Sequence, residues 1–116
     1  MTADPGCLFC KIVAGEVEAD VVHSSEHCLA FRDLEPQAPV HLLVIPRRHE
    51  PDVGSLVRAA PAEAAALLAA ARAAAESEGV ADNFRLVANT GRDAHQSVFH
   101  AHLHVLAGRS FDWPPG

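Results

Sequence analysis

The stretch that decides the fold is "QSVFHAHLHVLAG", residues 96–108, in which His100, His102 and His104 recur at every second position. On a helix, positions two apart point to nearly opposite sides, whereas on a strand they share one face. Val98, Phe99, Leu103, Val105 and Leu106 favour a strand, and Gly91 and Gly108 bracket the region. The stretch therefore reads as a strand with His100, His102 and His104 on one face and Ala101, Leu103 and Val105 on the other. Successive histidine Cβ atoms on such a strand are about 7 Å apart. Two neighbours could share a metal ion. Three on one ion is awkward, because metal–nitrogen bonds are only about 2 Å long. A row of imidazoles better suits an extended anion such as a phosphate chain. The competing reading is a set of core or surface histidines with no shared role.

Outward from this strand, the chain divides cleanly. "CLFCKIVAGE" predicts a short helix stopped near Gly15. "ADVVHSS" and "EHCLAFRD" read as short strands joined tightly through Ser25 and Glu26, and "VHLLVIP" as a strand closed by Pro46. "LEPQAP" is a loop, and "RRHEPDVGSL" reads as a turn entering irregular structure. Ala60 to Val80 is Ala-rich, with Pro61 near its start and Gly79 near its end, the asymmetry expected of a helix. Alanine offers little core area, so Leu67, Leu68 and Val80 are expected to carry much of its packing. "DNFRLVANTG" is a further strand running into a loop, and "RSFDWPPG" is too proline-rich for regular structure. Short connections between strands favour an antiparallel sheet with helices packed on it, an α+β domain. One domain spans residues 1–116, with an extended tail over 109–116.

Bulk properties narrow the function classes. The chain has 116 residues, 49% hydrophobic and 21% charged, which is the composition of a globular domain. Nine Lys and Arg face fifteen Asp and Glu, a net charge of −6, so the basic footprint of a nucleic-acid surface is missing. A phosphate ligand must then be held by a local cluster rather than by the global field. "MTADPGCLFCKIVAGE" has no long apolar run after a basic start, and no segment reaches the ~18 apolar residues of a membrane span. No membrane association and a cytoplasmic location are expected.

Three cysteines, Cys7, Cys10 and Cys28, make a poor disulfide framework in a reducing compartment. Cys28, in "HCLAF", reads as a small buried hydrophobe. Cys7 and Cys10 form a C-x-x-C pair, the usual half of a structural zinc site. His49, in "PRRH", could add a third ligand. A redox pair or two simply packed thiols are the other readings. For the histidine row, neutral imidazole is a nucleophile and base near pH 7, and imidazolium donates to phosphate oxygens. Ser97 and Gln96 add a hydroxyl and an amide nearby. Asp33 reads as an exposed turn residue, and Asn89 as a loop-capping amide at "NTG".

"HAHLHVLAG" resembles the His-x-His-x-His-x-x signature of the histidine-triad (HIT) nucleotide-binding family. The resemblance extends from "CLFCKIVAGEVEAD" through "CLAFRDLEPQAPVHLLVIPRRH" to "NTGRDAHQSVFHAHLHVLAGRSFDWPPG", with the Ala-rich helix its weakest part. The "WPPG" terminus resembles the Hint branch in particular. The resemblance implies a HIT-like fold, with about five antiparallel strands and two main helices, paired as a homodimer. It implies purine nucleotide (AMP-like) ligands and hydrolysis of the P–N bond of nucleoside 5′-phosphoramidates through a nucleotidyl-histidine intermediate. His102 matches the family nucleophile and His104 the phosphate contact. Ser97 and Gln96 match residues near the α-phosphate and leaving group. Asn89 matches a contact on the phosphate and ribose side, and Asp33 and Leu34 match residues at the ribose and base.

Bacterial relatives with the N-terminal Cys pair further imply a closed, structural zinc site built from Cys7, Cys10, His49 and His100. If His100 binds zinc it cannot serve a proton relay to His102. His102 and His104 are then the chemical pair, and His100 positions the strand. His23, His27 and His41 are left without a role. Diadenosine-polyphosphate hydrolysis or nucleotidyl transfer within the family, and a non-catalytic nucleotide-binding adaptor, are the alternatives. Trp113 and the Pro-Pro tail match a segment that approaches the dimer partner's site. At residue 95 the Hint branch commonly has Gly, whereas this chain has His95, from which an altered substrate preference is expected.

Overall fold

A computed structural model describes residues 3–116. Its architecture follows from period-2 burial in the central strands. In β2 (Cys28–Arg32), β3 (Val40–Pro46) and β5 (Leu103–Ala107), one set of alternate residues includes Cys28, Ala30, Leu42, Val44, Leu103 and Val105. The other set includes Leu29, Phe31, Leu43 and Ile45. Both faces are apolar, so both need cover. Helix α3 (Pro61–Ser77) covers the first face with Leu67, Ala70, Ala71, Ala74 and Ala75. Helix α1 (Leu8–Val13) covers part of the second with Phe9 and Cys10. With β1 (Val21–Ser24) and β4 (Phe84–Val87), the sheet has five strands in the order β1-β2-β3-β5-β4, and every neighbouring pair is antiparallel. This is the expected α+β arrangement.

Three local expectations need correction. Residues expected to be irregular after Pro51 form helix α2 (Val53–Ala59), because Asp52 caps it: its Oδ1 accepts from the Ser55 amide at 2.8 Å. Leu68 does not pack inward; it is 56% exposed. The alanines instead present a flat face of small side chains that lets α3 lie close to the sheet. The histidine strand is also shorter than its pattern suggests. Pairing with β3 begins at Leu103, opposite Val44. Residues before it lie beyond the β3–β5 ladder, and the Ala101 amide donates instead to the Glu50 carbonyl at 2.7 Å.

The turn after β5 depends on a glycine. Gly108 has φ of +93°, and a Cβ there would sit 2.8 Å from the Pro39 Cβ. Both a left-handed backbone and a clash with a rigid ring oppose any side chain. Gly108→Ala is expected to lower the unfolding free energy by about 2 kcal/mol, read from the midpoint of a urea titration.

Candidate active site and metal cluster

The alternation of β5 turns the histidines onto the face that α1 only partly covers. Phe31, Leu43, His104 and Val87 form one row across β2, β3, β5 and β4. On this face a cleft of about 670 Å³ is lined by, among others, Phe9, Leu34, Ser97, His102 and His104. Asp33, Asn89 and His95 line it too. One flank, toward β2, is apolar and carries Phe9, Ile12, Phe31, Leu34 and Leu43. Leu34 is almost fully exposed at its lip. The other flank belongs to the segment after β4, with Asn89 and Ser97.

Gln96 departs from its expected place. It is buried and is not among the lining residues. Its Oε1 accepts from the Gly91 amide at 2.8 Å, and its Nε2 donates to the Pro51 and Val98 carbonyls at 2.7 and 3.0 Å. Both amide hydrogens and the carbonyl oxygen thus bond backbone groups, so the side chain braces the loop.

His41, left without a role by the sequence, belongs to the site. It is 7% exposed. The Gln37 amide donates to its Nδ1 at 2.9 Å, so the neutral ring carries its proton on Nε2. Nε2 lies 2.9 Å from His104 Nδ1 and 3.4 Å from Asp33 Oδ2. His41 thus donates to His104, and His104 carries its own proton on Nε2. Burial pushes His41 below its ordinary value, against the pull of Asp33. Burial first, then His102 and His41, pushes His104 down to about 4. The signal in the sequence was a lone histidine alternating with Leu43 and Ile45 in an apolar strand.

His102 has the opposite tautomer. Its Nδ1 lies 2.7 Å from the His100 carbonyl, which can only accept, so Nδ1 holds the proton and Nε2 presents a lone pair. The edge of Phe9 packs against the ring at 5.2 Å between centroids, and the His104 ring stands equally close. A free imidazole lone pair and an N–H donor therefore stand side by side in the cleft. Such a pair can attack an electrophilic centre and steady its oxygens.

His100 meets the same Phe9 ring but engages other partners. It is fully buried, and its Nε2 donates to the Pro46 carbonyl at 2.9 Å, which leaves Nδ1 as an acceptor. That atom is 3.4 Å from Cys7 Sγ, 3.6 Å from Cys10 Sγ and 3.1 Å from His49 Nδ1. Cys10 Sγ is 3.3 Å from His49 Nδ1, and all four ligand atoms lie within 4.8 Å of one another. These residues could hold a metal ion. Behind them Asp4 Oδ2 sits 3.9 Å from His49 Nε2, the orienting position commonly filled behind a ligand histidine. Burial raises the Cys10 thiol, with Cys7 adding to the rise and the Asp4 amide opposing it. A cation among the four would favour the thiolate. Asp33, His41 and His104 also cluster. There the Gln37 amide obliges His41 Nε2 to keep its proton, so that group is a hydrogen-bonded chain. Cys28 lies apart, fully buried, with its thiol pushed up to about 11 by burial.

A model of the HIT domain matches residues 14–111 of this chain. An uncharacterized HIT-like protein of Synechocystis is 45% identical over 109 residues, covering 94% of this chain and 96% of that protein. Among solved structures, a HIT family hydrolase from Legionella pneumophila superposes with a TM-score of 0.90 at 44% identity, covering 96% of this chain and all of that one. A HIT family hydrolase from Clostridium thermocellum has a TM-score of 0.88 at 35% identity, with 97% of each chain covered.

The neutral His104 has a stability consequence. In the unfolded chain a histidine protonates near pH 6.5, but in the fold His104 does so only near 4. Between those values the unfolded state binds more protons, so stability is full above about pH 6.5 and is lost as the pH falls toward 4. His104→Gln is expected to make that loss shallower by about 1 kcal/mol, allowing for partial solvent screening. Urea unfolding of both proteins at pH 7 and pH 4.5 reads the difference.

Proposed function

The chain belongs to the HIT family, and from that premise we propose that it is a nucleotide-binding hydrolase that cleaves the P–N bond of purine nucleoside 5′-phosphoramidates. The observation that carries this reading is the hydrogen bond from His102 Nδ1 to the His100 carbonyl, which frees Nε2 as a nucleophile beside the N–H of His104. The purine would lie on the apolar flank between Phe9, Leu34 and Leu43, with Asp33 accepting from the ribose hydroxyls. The α-phosphate would sit over His102 and His104 with Ser97 as a further donor, and Asn89 would flank it. Hydrolase action is also supported by the names of the Legionella and Clostridium relatives.

In the first step His102 Nε2 attacks phosphorus and the P–N bond breaks. The amine nitrogen takes a proton from solvent in the open cleft. His104 Nε2–H donates to a phosphoryl oxygen as charge develops. Water then attacks the phosphorus of the adduct and gives up its proton to solvent, and the His102 imidazole departs as a neutral base. The products are a nucleoside monophosphate and an amine, which takes a second proton from solvent to become an ammonium ion. His41 holds His104 in the donor tautomer throughout.

The metal at Cys7, Cys10, His49 and His100 we take to be zinc, in a structural role. Zinc bonds of about 2.3 Å to sulfur and 2.0 Å to nitrogen give tetrahedral edges of about 3.3 Å between nitrogens and about 3.5 Å between nitrogen and sulfur. The nitrogen–nitrogen separation of 3.1 Å and the nitrogen–sulfur separations of 3.3, 3.4 and 3.6 Å lie within about 0.2 Å of that figure. Four protein ligands leave no open position, so the ion would fasten α1 to the strand that carries His102. We further propose a homodimer, consistent with β4 forming a sheet edge on which Leu86 is exposed. Cytoplasmic residence is supported by three unpaired thiols, and no described helix is long and apolar enough to cross a membrane.

Two measurements test this reading. His102→Ala should lower turnover of adenosine 5′-phosphoramidate by about a thousandfold or more while AMP binding persists in calorimetry. Retained turnover would remove His102 from the nucleophile's role. Elemental analysis of protein purified without chelators should find about one zinc per chain, and Cys10→Ala should lose most of it with a marked drop in melting temperature.

A further inference from the structure

His95 is the only described non-glycine residue with positive φ, at φ 70° and ψ 32°. Its loop is tightly closed. The His95 amide donates to the Arg92 carbonyl at 2.9 Å, and the Gln96 amide to the Gly91 carbonyl at 3.0 Å. A left-handed conformation disfavours any side chain, yet this position carries an imidazole. The ring lines the cleft and makes no hydrogen bond or ion pair to any described residue. It is an uncommitted polar group facing the place where chemistry occurs.

Its position on the sheet gives it a task. The strand order puts β1 and β2 on one side of the β3–β5 pair and β4 on the other. The cleft's four carboxylates, Glu18, Asp20, Asp33 and Glu35, precede β1 or follow β2. Arg32, the cation on that side, is already engaged by Asp20 and Glu78. On the far flank the lining residues are Asn89, His95, Ser97 and Val98, and among them only His95 can carry charge. A nucleotide with its base on the apolar flank and its phosphate over His102 must send its leaving group toward this second flank. A negative charge on that group would be repelled by the four carboxylates if the substrate lay the other way round.

We infer that His95 is a specificity-determining residue that favours leaving amines bearing an anionic group, such as a carboxylate, over uncharged amines. The inference rests on the proposed phosphoramidase reading and extends it to the leaving group. The imidazole donates to the anion without taking part in bond breaking. A charge-assisted hydrogen bond at an exposed rim is worth roughly a fivefold to tenfold preference.

The test uses two adenosine 5′-phosphoramidates of matched length, one of propylamine and one of 3-aminopropanoate. The readout is the ratio of kcat/KM for the carboxylate substrate over the neutral one. Because both substrates meet the same protein, any loss of folding or of active fraction cancels. His95→Asn, which tolerates the left-handed backbone but carries no charge, should lower the ratio about fivefold to tenfold, and His95→Lys should restore most of it. An unchanged ratio in His95→Asn, with both substrates still hydrolysed, overturns the role of His95 and leaves the phosphoramidase reading standing. A native protein inert toward both substrates overturns that reading, and the role of His95 with it.

Discussion

The hydrogen bond between His102 Nδ1 and the carbonyl two residues earlier is the contact on which the site depends. It is local in sequence, yet it needs the chain to be extended and held at His100. That holding comes from elsewhere. His100 is fully buried, bonded through Nε2 to Pro46 and directed through Nδ1 at Cys7, Cys10 and His49. Beyond the end of the β3–β5 ladder, the segment relies on these contacts and on the Glu50 carbonyl for its course. The potential metal cluster and the cleft are thus two ends of one short mechanical link.

A second chain of contacts fixes the neighbouring donor. The Gln37 amide, His41 and His104 form a directional series in which each proton is assigned by the one before it. The two tautomers required in the cleft, one lone pair and one N–H, are set by two backbone groups, the His100 carbonyl and the Gln37 amide. Desolvation contributes by keeping both His41 and His104 neutral, so the series is not scrambled by extra protons.

Much of the fold was legible because burial in the central strands has period 2. "VHLLVIP" predicted β3 to the residue, and the long Ala-rich helix fell between its Pro and Gly punctuation marks. What escaped had a short signal or a distant cause. Helix α2 follows a polar run, and only the Asp52 cap with its bond to Ser55 reveals it. The burial of α3 through alanines rather than Leu68 reflects how closely a small-residue face can approach a sheet, which composition does not report. In the site, Gln96 was expected near the phosphate only from the family resemblance; its side-chain amide bonds to Gly91, Pro51 and Val98.

By itself, the sequence determined which side chains share a face. Alternation in an extended chain is a property of the backbone, so His100, His102 and His104 had to point to one side, opposite Ala101, Leu103 and Val105. The C-x-x-C spacing likewise allows two sulfurs to reach one ion. Only the tertiary structure decided how the three histidines divide their labour. Packing of α1 over one end of the sheet draws His100 toward Cys7, Cys10 and His49, while β3 brings His41 to His104. Those partners lie 51 to 93 residues apart in the chain, and proton positions on a histidine follow from what its two nitrogens meet in space.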